Sequence, residues 1–93
     1  MSETLDGVLA RADADHPTAV ERLKAFLRIP TVSTDPAFAP EVKRGAEWAA
    51  AQLRELGFDA RVVPTAGHPM VLARHDGPKG GGLPRVLFYG HYD

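Results

Sequence analysis

The apolar run that follows Pro84 constrains the fold of this chain more than any other segment. It reads Arg85-Val86-Leu87-Phe88-Tyr89, with four apolar or aromatic residues in succession. A run without polar alternation is typical of a strand that is covered on both faces. Such a strand needs neighbouring strands at its edges and helices on its faces. The sequence therefore predicts an α/β fold with a central strand at 85–89.

Composition narrows the class of protein. The chain has 93 residues, 44% apolar and 25% charged, which are ordinary values for a globular domain. Eleven basic and twelve acidic residues give a net charge of −1, so no electrostatic footprint for nucleic acid or anionic lipid is expected. No cysteine is present, so a metal would have to be bound by imidazole and carboxylate groups. The polar start and the lack of a long apolar window predict no membrane segment and a cytoplasmic location.

The spacing of apolar residues predicts three helices. The first covers Thr4–Ala14, and a second begins at Pro17, which suits a helix first turn, and is ended by Pro30. The third runs from Pro40 to Leu56 and is followed by Gly57, which fits a left-handed C-terminal cap.

Two further strands are predicted. Phe58–Val63 alternates in polarity and is ended by a proline, and Met70–Arg74 follows a turn. Thr31–Pro36 and the glycine-rich stretch Asp76–Pro84 are predicted to be loops. Three helices and three strands form one domain or part of one. Because they are too few to surround a central strand, we expect part of the domain to be missing from these 93 residues.

His91 and Asp93 directly follow the predicted central strand. Ligands of open α/β sheets collect at the carboxyl ends of strands. A zinc-binding imidazole usually has its second nitrogen fixed by a carboxylate, so Asp93 is the candidate orienting group for His91. Gly90 would let the backbone turn sharply without a Cβ obstructing the site. On these residues alone, His-x-Asp also occurs by chance, and a histidine at a strand end is more often structural.

The order of several phrases along the chain resembles the M20 metallopeptidases, and most of all their dipeptidase branch, which includes carnosine-type and nonspecific dipeptidases. The resemblance covers nearly the whole chain from about Val20. The phrases are Leu27-Arg28-Ile29-Pro30-Thr31-Val32-Ser33-Thr34-Asp35-Pro36, Ala46-Glu47-Trp48, Leu53-Arg54-Glu55-Leu56-Gly57-Phe58, Gly67-His68-Pro69 and Val86-Leu87-Phe88-Tyr89-Gly90-His91-Tyr92-Asp93.

This resemblance implies a three-layer α/β/α catalytic domain that hydrolyses a dipeptide or related amide with two metal ions, usually zinc and sometimes manganese or cobalt. It assigns His91 as a metal ligand and Asp93 as the catalytic-site acid that orients this histidine. A small peptide or amide is the expected substrate, with no nucleic acid or membrane partner. A homodimer of the complete enzyme is compatible with the resemblance.

The remaining metal ligands, the general base and the lid domain of M20 enzymes lie downstream of the segment that Asp93 matches. Residues 1–93 are therefore expected to be the N-terminal part of the catalytic domain and to be inactive alone, because one histidine does not complete a zinc site. Two alternatives stay open. The chain is a non-catalytic α/β binding or assembly module, or the complete enzyme is an N-acyl-amino-acid deacylase with the same metal chemistry.

Overall fold

The computed structural model describes residues 4–93, which form two α-helices and a two-stranded sheet. Helix α1 spans Leu5–Leu27 and helix α2 spans Ala39–Glu55, with a short 3-10 helix at Pro36–Phe38 between them. Strands β1, Asp59–Val63, and β2, Met70–Arg74, follow. The chain is thus a mixed helix and sheet protein, which agrees with the predicted α/β class at the general level. Among residues 4–93, the helices include none that is long and apolar enough to cross a membrane.

Helix α1 is continuous where the sequence predicts two helices. The hydroxyl of Thr4 caps it by accepting a hydrogen bond from the backbone N–H of Gly7 at 3.1 Å, and Pro17 lies inside it. The break predicted between Ala14 and Pro17 is therefore wrong. Proline in a helix interior removes one backbone hydrogen bond, at a cost of about 3 kcal/mol. All side chains from Leu5 to Thr18 are exposed, so water can hydrate the carbonyl group that loses its partner.

Helix α2 and the hairpin enclose the core. The predicted helix at 40–56 is confirmed to within one residue at each end, and Gly57 has the predicted left-handed conformation, with φ of 93°. Strand β1 pairs with β2 antiparallel, from Asp59 opposite Arg74 to Val63 opposite Met70. Among the described residues, the buried apolar side chains are small or β-branched: Ile29, Val42, Ala46, Ala50 and Ala60.

The sheet has one covered face and one open face. Ala60 and Val62 of β1 are buried or half-buried on the face that packs against α2. The opposite face carries Leu72, which is 45% exposed, and Met70, which is 53% exposed. Side chains alternate between the two faces of a strand, so these apolar groups belong to a second surface of the sheet. Residues 4–93 leave that surface in contact with solvent.

The predicted central strand at 85–89 is not formed in this structure. Residues 85–89 have no regular secondary structure, and Val86, Leu87 and Phe88 are 69%, 92% and 89% exposed. Arg85 is held by an ion pair with Asp76 at 3.0 Å. A buried strand needs a ladder partner and a cover on each face, and among the described residues the strands β1 and β2 pair only with each other. The apolar run at 85–89 has the sequence pattern of a buried strand, but residues 4–93 supply neither a neighbouring strand nor covering layers for it.

Gly45 of α2 is the point of closest approach between the helix and the segments that carry the candidate site. A Cβ at this position would overlap the methyl group of Thr31 and would lie 3.4 Å from the ring of Tyr92. Gly45 is buried and Thr31 and Tyr92 are half-buried, so an added Cβ fits only if the side chain of Thr31 shifts. The missing side chain is therefore what lets the 31–33 loop and residue 92 pack on α2.

We predict that Gly45→Ala destabilises the fold although alanine is the better helix former. Overpacking of a well-filled site costs about 1–3 kcal/mol, and the gain in helix propensity is about 1 kcal/mol, so a net loss of up to about 2 kcal/mol is expected. Urea unfolding followed by circular dichroism measures it. Thr31→Ala in the same chain removes the obstructing methyl group and should recover most of the loss. An increase in stability for Gly45→Ala alone would contradict the close packing.

Candidate functional site

Residues 91–93 are fixed against two distant loops. The hydroxyl of Tyr92 donates a hydrogen bond to the carbonyl oxygen of Pro69 at 2.5 Å, and the hydroxyl of Ser33 donates one to Oδ2 of Asp93 at 2.6 Å. His68 ties the two loops together, because its Nε2–H donates to the carbonyl oxygen of Ser33 at 2.9 Å. The candidate site therefore has a defined position although no strand leads into it.

His91 and Asp93 form the pair that the sequence predicts. Nδ1 of His91 lies 2.9 Å from Oδ1 of Asp93, and Nε2 of His91 lies 3.1 Å from the hydroxyl of Tyr89. An ionised carboxylate only accepts hydrogen bonds, so Nδ1 must carry the proton. In the neutral imidazole, Nε2 then holds the lone pair and accepts from Tyr89. The lone pair is available to a ligand only when the tyrosine hydroxyl moves away.

The carboxylate of Asp93 is held in its charged form. The hydrogen bond from Ser33 first, and that from His91 second, lower the pKa of Asp93 below its ordinary value. Each carboxylate oxygen has its own donor, Oδ2 from Ser33 and Oδ1 from His91. The hydroxyl therefore fixes the plane of the carboxylate and with it the tautomer of the imidazole.

The phenol of Tyr92 is more shielded than its neighbours. Burial first, and the nearby Asp93 carboxylate second, raise the pKa of Tyr92. The phenol therefore stays protonated at neutral pH and keeps donating to Pro69. This contact anchors the backbone between the two site residues.

Ser33, Asp93 and His91 do not form a serine-hydrolase triad. In a triad, the imidazole stands between the hydroxyl and the carboxylate and removes the proton of the hydroxyl. Here the carboxylate stands between them, and Ser33 bonds to Asp93. The group that Ser33 Oγ contacts is a carboxylate whose pKa is lowered, which makes it a weak base, so the geometry favours an orienting role over a nucleophilic one.

The donor set fits one ligand position of a metal site. His91 has a carboxylate on Nδ1, as metal-bound imidazoles usually do, and its side chain is 67% exposed. Within residues 4–93, no three His, Asp or Glu side chains are grouped so that they could hold a metal ion. The described residues thus offer a single oriented imidazole, and no step of metal chemistry is derived from them alone.

Sequence reasoning found the His–Asp pair but missed its supports. Ser33 and Tyr89 were placed in a loop and in a strand, without a role in the site. His68 was given no role in the site, yet it is half-buried and bonds to the loop that carries Ser33. A signal exists only for Tyr89, because residues two apart in extended chain can bring their side chains to the same side. The contacts of Ser33 and His68 span 60 and 35 residues, which a local pattern does not reveal.

We predict that Ser33→Ala raises the pKa of Asp93 towards the ordinary aspartate value of about 3.9. The pKa of Asp93 is lower in the folded chain than in the unfolded chain. The hydrogen bond from Ser33 therefore stabilises the fold at pH values above the unfolded-state pKa, and this stabilisation is lost as the pH falls through the folded-state pKa. The variant should therefore lose less stability on acidification. NMR titration of the Asp93 carboxyl carbon and unfolding at several acidic pH values measure both effects. Thr34→Ala removes a neighbouring exposed hydroxyl and should change neither. An unshifted Asp93 pKa in Ser33→Ala would refute the contact.

Comparison of the chain with protein-family models, with curated proteins and with solved structures finds no match. The assignment of the site therefore rests on the geometry of His91, Asp93 and Ser33 and on the resemblance of the sequence phrases to the M20 metallopeptidases.

Proposed function

We propose that residues 1–93 are the N-terminal part of the catalytic domain of a cytoplasmic, zinc-dependent dipeptidase or amidohydrolase of M20 type. In this proposal the complete enzyme hydrolyses a dipeptide or other small amide. His91 is one metal ligand, and Asp93 orients it. The observation that carries the proposal is the imidazole–carboxylate pair, with Nδ1 of His91 at 2.9 Å from Oδ1 of Asp93.

The arrangement of hydrogen bonds around His91 and Asp93 supports a metal-ligand role for His91. Asp93 accepts a hydrogen bond from the protonated Nδ1 of His91, so the lone pair of the imidazole lies on Nε2. Ser33 holds the other carboxylate oxygen, which prevents Asp93 from rotating away. A carboxylate in this position also raises the basicity of the imidazole as a ligand. A purely structural histidine would need neither a side chain that is 67% exposed nor a second donor on its carboxylate partner.

The uncovered apolar surfaces support the three-layer architecture of the proposal. Leu72 and Met70 lie on the sheet face that faces away from α2, and Val86, Leu87 and Phe88 are each more than two-thirds exposed. In a three-layer domain, an added strand at 85–89 would enlarge the sheet, and a second helix layer would cover its open face. The proposal thus gives each of these surfaces a partner from the same catalytic domain.

In the proposed reaction, the residues of this chain bind one metal position and orient its ligand. His91 donates the Nε2 lone pair, Asp93 keeps the proton on Nδ1, and Ser33 keeps Asp93 ionised. Tyr89 must release Nε2 before a ligand binds there. A zinc pair in the complete site would polarise the amide carbonyl and lower the pKa of a bound water. The remaining ligands and the general base belong to other segments of the proposed enzyme.

The same chemistry serves a deacylase of N-acyl amino acids, which is distinguished from a dipeptidase only by its substrate preference. A non-catalytic binding module differs more clearly. It requires that the isolated chain unfolds cooperatively and that neither added Zn²⁺ nor His91→Ala changes its stability. That outcome, together with an enzyme assay that shows no hydrolysis, would favour the module.

We predict that His91→Ala in the complete enzyme lowers amide hydrolysis by several orders of magnitude and lowers the bound zinc, because a metal ligand is lost. Asp93→Asn keeps the shape of the side chain and should cost about 10–100-fold in metal affinity or activity, the range found when the carboxylate behind a metal-bound histidine is removed. Metal content by mass spectrometry and hydrolysis of a dipeptide series measure both. N-acyl amino acids in the same assay separate the two enzyme alternatives.

His16→Ala serves as the matched control, because His16 is an exposed histidine on α1, outside the site. This variant should keep both zinc and activity. Normal metal content and normal hydrolysis in His91→Ala would refute the proposed ligand, whatever the behaviour of the control.

A further inference from the structure

Helix α1 exposes an apolar stripe along its whole length. Leu5, Leu9, Leu23 and Leu27 are 72%, 53%, 55% and 68% exposed, and no side chain of the helix is buried. At 100° per residue, the stripe continues through Ala12 and His16, which are exposed, and Val20, which is half-buried. An apolar stripe of this length in contact with water is typical of a helix that lacks a partner.

The stripe is symmetric about His16. Leu5 lies as many residues before His16 as Leu27 lies after it, and the same holds for Leu9 with Leu23 and for Ala12 with Val20. When two copies of α1 run antiparallel and cross at His16, each leucine of one copy therefore faces a leucine of the other. The stripe is its own complement in this orientation.

The charges of α1 favour the antiparallel orientation. The half before His16 carries three carboxylates and one base: Asp6, Asp13, Asp15 and Arg11. The half from His16 to Arg28 carries three bases and one carboxylate: Arg22, Lys24, Arg28 and Glu21. A parallel pair would place like-charged halves together, whereas an antiparallel pair places the acidic half of each copy against the basic half of the other.

One cross-pair follows from the register. Lys24 would face Val8 of the second copy, two positions from Asp6, and Asp6 and Lys24 lie on the same edge of the stripe. Both side chains are exposed, and the ammonium group of Lys24 is paired with Glu21 of its own helix at 3.3 Å. The long lysine side chain can reach Asp6 of the second copy without rearrangement of the backbone.

From these observations we propose that α1 is a homodimerisation surface, on which two copies of this chain pair antiparallel about a two-fold axis at His16. The two helices bury their apolar stripes against each other and are flanked by Asp6–Lys24 ion pairs. This inference does not depend on the proposed hydrolase function, since α1 carries none of the residues of the candidate site.

Single cysteines test the orientation, because the chain has no cysteine of its own. With a rise of 1.5 Å per residue, two Leu9 positions lie about 21 Å apart in the antiparallel pair, beyond the reach of a disulfide. His16→Cys should therefore form a disulfide with itself on oxidation, and Leu9→Cys should not. A mixture of Leu9→Cys and Leu23→Cys chains should give the mixed disulfide. Self-linking of Leu9→Cys would show a parallel pair and overturn the proposal.

Sedimentation equilibrium of the unmodified chain, from micromolar to millimolar concentration near neutral pH, should show a monomer–dimer equilibrium. Leu23→Glu should abolish the dimer, while circular dichroism shows that the helices remain. Leu56→Glu is the matched control: Leu56 follows α2 and is 70% exposed, so its replacement should leave the dimer intact. A monomer at all concentrations, or a dimer that resists Leu23→Glu, would overturn the proposal. The second result would assign association to another surface, such as residues 86–88.

The charge pair gives an independent readout. Asp6→Lys and Lys24→Glu should each weaken the dimer about threefold to tenfold, because two symmetry-related exposed pairs are lost. The chain that carries both changes should regain most of the affinity, since the pair is restored with reversed sign. Additive weakening in the double variant would show that Asp6 and Lys24 do not meet across the interface.

Discussion

The close contact at Gly45 is the constraint on which the rest of this structure depends. The absence of a Cβ there lets Thr31 and Tyr92 approach the axis of α2. One side of the same helix packs on β1 and β2, so α2 joins the core to the candidate site. The core itself is small, with Val42, Ala46 and Ala50 as its centre. A shift of α2 would therefore disturb the site and the sheet together.

Asp93 links this packing to the orientation of His91. Its two carboxylate oxygens face different donors, Ser33 from a distant loop and His91 from the adjacent chain. Without the hydrogen bond from Ser33, the carboxylate of Asp93 could rotate and would no longer hold the imidazole of His91 in one orientation. The tautomer of His91 is thus set by a contact that spans 60 residues, and not only by the His-x-Asp sequence. This dependence distinguishes an oriented imidazole from a histidine that lies beside an acid by chance.

Local patterns in the sequence predict the elements whose environment lies within the described residues. Strand β2 has the predicted bounds, Met70–Arg74, and α2 differs from its prediction by one residue at each end, because the apolar stripe and the glycine cap act locally. The break predicted before Pro17 was wrong, because the helix continues through this residue and leaves the carbonyl group that lost its partner exposed to water. The run at 85–89 predicts a buried strand and is exposed, because burial depends on neighbours that these residues do not supply. The His91–Asp93 pair was predictable from adjacency, whereas Ser33 was not.

The exposed apolar stripe of α1 and the exposed apolar run at 86–88 need different kinds of partner to bury them. On α1, the four exposed leucines lie on one side of the helix, so a single antiparallel helix is enough to cover them. If residues 86–88 form the proposed strand, successive side chains will point to opposite sides, so two separate layers would be needed to cover Val86, Leu87 and Phe88. Pairing through α1 therefore leaves that run exposed, and completion of the sheet leaves the stripe of α1 free to pair. Because neither cover substitutes for the other, the dimer and the three-layer catalytic domain are separate proposals that can stand or fall independently.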